Sequence, residues 1–60
     1  MNTVTFTYID ETGKGQSYVV KWDPIECVWI GEDYKEYDIL DQIRADMMHA
    51  GCKDIQEEIN

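Results

Sequence analysis

Positive charge is scarce in this 60-residue chain: five Lys and Arg stand against 13 Asp and Glu, a formal net charge of −8 at pH 7. Phosphate backbones and anionic lipid repel such an anion, which argues against direct nucleic-acid or membrane partners. Long apolar runs are also lacking. No stretch reaches the ~20 consecutive apolar residues of a bilayer-spanning helix. Met1-Asn2-Thr3-Val4-Thr5 has neither the basic nor the apolar region of a signal peptide, so a cytoplasmic protein is expected. Pro 1 and Gly 4 are too few for a linker, which predicts a single compact domain over residues 1–60. A chain this short buries only about 60% of the surface it exposes when unfolded, which leaves no room for a deep cofactor cavity. No cofactor is expected.

Residues that carry catalysis are equally few. His49 is the single histidine, and near a helix end it serves the terminal carbonyls before it serves proton transfer. Cys27, His49 and Cys52 lack the paired Cys-x-x-Cys spacing of a zinc site, and two cysteines in an intracellular chain read as reduced packing thiols. Gly13-Lys14-Gly15 lacks the Gly-Lys-Ser/Thr ending of a phosphate loop; Asp33, Lys35 and Tyr37 lack the central glycine and ligand spacing of a calcium loop. No metal site and no enzyme active site is expected.

What the chain does hold is periodicity. Val4, Phe6 and Tyr8 alternate with Thr3, Thr5 and Thr7, the period-two signature of a half-buried strand. Turn residues follow in Asp10-Glu11-Thr12-Gly13-Lys14-Gly15, and then Tyr18, Val20 and Trp22 alternate again, which predicts a hairpin over residues 3–22. Asp23-Pro24 breaks the ladder, and Ile25 to Ile30 reads as a third strand. After Gly31 the period changes to three and four, with Leu40, Ile43, Met47 and Ala50 on one stripe. Two caps compete for the helix start, Asp33 with Glu36 or Asp38 with Asp41. The first is favoured, giving a helix of about residues 33–50 closed by Gly51 as C′ residue. Residues 52–60 permit a short helical turn or a strand, and the poor β-propensity of Gln56, Glu57 and Glu58 favours the turn. The expected fold class is α+β, a three-stranded antiparallel sheet packed on one main helix, with Phe6, Val20, Leu40, Ile43 and Met47 in the core. Spare apolar faces at Val19, Val28 and Trp29 and an open sheet edge would favour a homodimer, which the high charge opposes.

Acidic residues concentrate in the helix region. Glu32, Asp33, Glu36, Asp38, Asp41 and Asp46 fall within roughly 14 residues, a row of about 20 Å at ~1.5 Å per helical residue. Such a face is usually solvated. With Tyr34 and Tyr37 interleaved it also suits a lysine- and arginine-lined groove built for a phosphate backbone, with tyrosine as anchor. The expected partner-binding set is Glu32, Asp33, Tyr34, Glu36, Tyr37, Asp38, Asp41 and Asp46.

In size, charge, hairpin-then-acidic-helix order and the Glu32 to Asp46 run, the chain resembles the small acidic proteins of bacterial viruses that disable host nucleic-acid machinery. Anti-CRISPR proteins, anti-restriction DNA mimics and uracil-DNA glycosylase inhibitors are of this kind. The resemblance implies a non-enzymatic inhibitor in the host cytoplasm, whose partner is the basic surface of a nucleic-acid-binding protein. The alternative is an acidic assembly or antitoxin-like module that binds through its hydrophobic sheet face, with Trp22 or Trp29 as anchor.

Overall fold

In the computed structural model, which describes residues 2–60, backbone ladders join β1 (Thr3–Ile9), β2 (Gly15–Asp23), β3 (Val28–Gly31), β4 (Glu36–Tyr37) and β5 (Lys53–Ile59). They form one antiparallel five-stranded sheet in the order β4-β3-β2-β1-β5. Among the described residues there is one helix, α1 (Leu40–His49), which packs on one face. This corrects the expected three-stranded sheet on one main helix: the protein is mostly sheet, and its helix is short.

The first hairpin forms as its alternation predicts. Val4, Phe6 and Val20 are buried under α1, while Thr7 and Ser17 are exposed on the other face. Its turn is held by Asp10, whose carboxylate accepts from the backbone N–H of Thr12 at 2.9 Å and Lys14 at 3.0 Å and from the Gln16 side-chain amide at 3.0 Å. Gly13 supplies the positive φ of 85° there.

The third strand begins at Val28, later than the expected Ile25. Asp23 accepts from the backbone N–H of Ile25 at 2.9 Å and Glu26 at 3.4 Å, an Asx turn that consumes Ile25 to Cys27 before the ladder resumes. The helix also starts later than the favoured Asp33. Gly31 donates to the carbonyl of Lys35 at 2.9 Å and Tyr34 to that of Gly31 at 3.0 Å, with Tyr34 at φ 62°, so this segment closes a second hairpin. Glu36 and Tyr37 then pair with Ile30 and Trp29. Their backbone groups are spent on the sheet, and α1 begins only after the extended N-cap Ile39, close to the competing Asp38 start.

The C-terminus of α1 behaves as predicted. Cys52 donates to Met47 at 3.0 Å and Gly51 to Met48 at 3.1 Å, with Gly51 at φ 90°, which is the paired bonding of a Schellman motif. Beyond it the favoured helical turn is replaced by β5, which pairs along β1 from Val4↔Ile59 to Thr7↔Gln56 and shifts register before Ile9↔Lys53. Without β5, β1 would present an open edge over a buried face; pairing outweighs the weak local propensity of Gln56 to Glu58.

Val4, Phe6, Val20, Tyr37, Ile43 and Met47 form the core. Four of the five expected core residues are buried, and Leu40 is half-buried. No helix among the described residues is long and apolar enough to cross a membrane.

Candidate functional site

Register places Trp22, Trp29 and Tyr37 in one row across β2, β3 and β4. Trp22 donates its N–H to Asn2 at 2.7 Å, toward β1, so Trp22 and Trp29 face each other at a non-hydrogen-bonded position, where side chains approach most closely. Their ring centroids lie 5.3 Å apart with planes tilted by 57°. Tyr37, at 7% exposure, is sealed into the core. Both indoles are only half-covered, because α1 begins beside them and runs away over Val20, Val4 and Phe6.

The uncovered end of the row is a groove of about 580 Å³ lined by Trp22, Trp29, Asp38, Ile39, Leu40 and Asp41. Ile39 is 54% exposed, an apolar side chain held in the open at the helix N-cap. Gln42 fixes the approach by accepting from the Asp38 N–H at 3.0 Å, and the Asp38 carboxylate at the rim has no ion-pair partner among the described residues. Asp41 accepts from Arg44 at 3.1 Å, and Arg44 also donates to Glu57 on β5. Apolar floor and acidic rim together suit a partner segment that is apolar and cationic.

A second cleft of about 370 Å³ lies at the other end of α1, where Tyr8, Tyr18, Asp10, Asp33 and Asp46 meet Cys52. Burial pushes the Tyr8 and Cys52 pKa values up, and the neighbouring Asp10 and Glu11 charges push them further. Hydrogen bonds from Thr12, Lys14 and Gln16 hold Asp10 down to about 2.

The predicted site residues are thus distributed over several places, and the continuous helical row is not built. Glu32, Asp33 and Tyr34 sit in the β3–β4 turn, with Tyr34 88% exposed beside Val19 and Ile30 on the sheet face that α1 leaves bare. Glu36 lies on β4; Tyr37 is buried and cannot serve as an anchor. Asp38 and Asp41 come together at the tryptophan groove, whereas Asp46 lines the far cleft and pairs with Lys35 at 3.5 Å. Leu40 is expected in the core and Ile39 stands in no expected site; their place in the groove follows from the late helix start. From the sequence Trp22 and Trp29 stand only as anchors of the alternative sheet-face reading; the fold is what sets them beside Asp38 and Asp41. Cys27 and Cys52 are free thiols, the first exposed and the second half-buried.

Comparison with known proteins gives no matching family model, no matching curated protein and no matching solved structure.

Proposed function

We propose that this chain is a protein-binding inhibitor that docks its acidic surface on the basic, phosphate-binding surface of a nucleic-acid-binding protein and blocks it by occlusion. The observation that carries this reading is the groove in which two half-exposed tryptophans share one hollow with Asp38 and Asp41. Carboxylates alone would be solvated decoration; carboxylates beside exposed indoles combine an electrostatic steering field with an anchor of the residue type that dominates binding energy. The remaining anions add long-range attraction that salt screens over about 10 Å at 0.1 M. No catalytic step is required of the protein.

A second reading is favoured by the bare sheet face, where Val19, Ile30 and Tyr34 surround a hollow of about 490 Å³. There an assembly partner would bind apolar surface and tolerate salt.

One experiment separates them. The immobilised protein is loaded with a host lysate and eluted by salt and by heparin, a polyanion that competes for basic surfaces. Elution of nucleic-acid-binding proteins by both, with loss of capture in Trp22→Ala and Trp29→Ala, supports the inhibitor. Capture that withstands salt and heparin and survives both tryptophan variants refutes it.

A further inference from the structure

We propose that the Trp22–Trp29 groove is an arginine site: it receives a guanidinium presented by an exposed segment of the partner, stacked on an indole and paired with Asp38. This inference rests on the basic-surface reading above and names the side chain recognised.

Two features of the groove select a cation, and a neighbouring ring outside it shows the contact. Its walls are two indoles, whose faces carry negative quadrupole potential, and its rim carries two carboxylates. Asp38 is positioned by the Gln42 bond to its backbone and has no ion pair among the described residues, so its carboxylate oxygens are available. The third ring of the same row already shows the contact: Lys35 Nζ lies 5.7 Å from the centroid of Tyr37, while no cation stands over Trp22 or Trp29 among the described residues. The helix N-terminus opposes a cation with roughly half a positive charge. Two carboxylates exceed it, even with Asp41 shared with Arg44.

Arginine fits better than lysine on chemical grounds. A guanidinium is planar and weakly hydrated, stacks on an indole, and meets a carboxylate with two parallel N–H donors. An ammonium is strongly hydrated and would have to shed that water against apolar walls. The two rings touch, with centroids 5.3 Å apart and planes tilted by 57°, so the flat group stacks on the open face of one indole and not between them. The exposed Ile39 would cover the methylene stem of the incoming side chain.

The chain's two tryptophans are both in this groove, so intrinsic fluorescence reports on it directly. The full chain is titrated with an acetylated, amidated peptide carrying one arginine between two leucines, and with the lysine and citrulline versions. Citrulline keeps the shape of arginine and removes its charge. The expected result is a saturable fluorescence change with arginine, at least about fivefold weaker binding with lysine, and none with citrulline. Asp38→Asn should remove the preference for arginine over citrulline, while thermal melting confirms that the variant is folded. Trp29→Phe should weaken binding while Trp22 still reports it. Equal titrations by the arginine and citrulline peptides, or an arginine titration unchanged in Asp38→Asn, would overturn the proposal. If the peptides fail while lysate proteins still elute with heparin, the arginine site falls and the acidic docking reading stands.

Discussion

The Tyr18 hydroxyl donates to the Asp33 carboxylate across β3, through a gap that only Gly31 leaves open. A Cβ built on Gly31 would lie 1.8 Å from that hydroxyl oxygen. Asp33 also accepts from the Lys35 N–H at 3.2 Å, so one carboxylate both ties the β3–β4 turn and anchors a tyrosine of the neighbouring strand. Tyr18 and Asp33, 15 residues apart in sequence, act with Gly31 as one joint.

Gly31→Ala should therefore destabilise the fold by about 1–3 kcal/mol, the usual range for overpacking a filled site. Gly15→Ala is the control, because a Cβ there meets nothing within 4 Å. Chemical denaturation of both variants checks the pair; equal midpoints would contradict the packing described.

Acid should weaken the protein through its bonded carboxylates. Asp10 is held down to about 2 from 3.8 by four donors, the Thr12 hydroxyl, the Lys14 N–H, the Gln16 amide and the Thr12 N–H, and Asp33 is lowered by the Tyr18 bond. A carboxylate whose folded pKa is depressed contributes stability above its unfolded pKa and loses it as pH falls through the folded value. The window thus opens near pH 4 and extends toward pH 2. Asp10→Ala should melt below the parent at neutral pH, and the two melting curves should converge across that window.

Alkali should act through Tyr18. Burial first, then the hydrogen bond to Asp33, raises its pKa above the ordinary 10.0. The folded state keeps a proton that the unfolded state releases, so stability present below pH 10 is lost as pH rises beyond it. Tyr18→Phe should flatten that alkaline decline in a melting series, at the cost of lower stability near neutrality.

The last strand should be indispensable. A chain ending at Cys52 loses the whole of β5 and leaves β1 as an open edge beside Phe6, which is fully buried. Loss of a cooperative melt, with aggregation visible by light scattering, is the expected outcome. A folded, monomeric truncated chain would show that β1 needs no outer partner.

Charge reversal should separate the groove from the far cleft. Asp38→Lys is expected to weaken partner capture and flatten its salt dependence, whereas Asp46→Lys, at the other end of α1, should have the smaller effect. Salt-gradient elution of the two variants in parallel measures the difference.

By itself the sequence determined the elements whose cause is local. Alternation at Val4, Phe6 and Tyr8 and again at Tyr18, Val20 and Trp22 made the hairpin, because a strand's side chains change face at every residue. Gly51 ended the helix because the Schellman turn needs a positive φ there. Tertiary structure decided the rest. Asp33 and Glu36 carry the pattern of a helix cap, yet Tyr34 turns left-handed and Tyr37 pairs with Trp29, since burying Tyr37 in the core outweighs one capping bond. Residues 53–59 have weak local preference and became a strand because β1 offered unpaired backbone beside a buried face. The late helix start left Trp22 and Trp29 partly bare, and the candidate groove exists for that reason. Contacts between distant residues set its position, and such contacts leave no period along the chain.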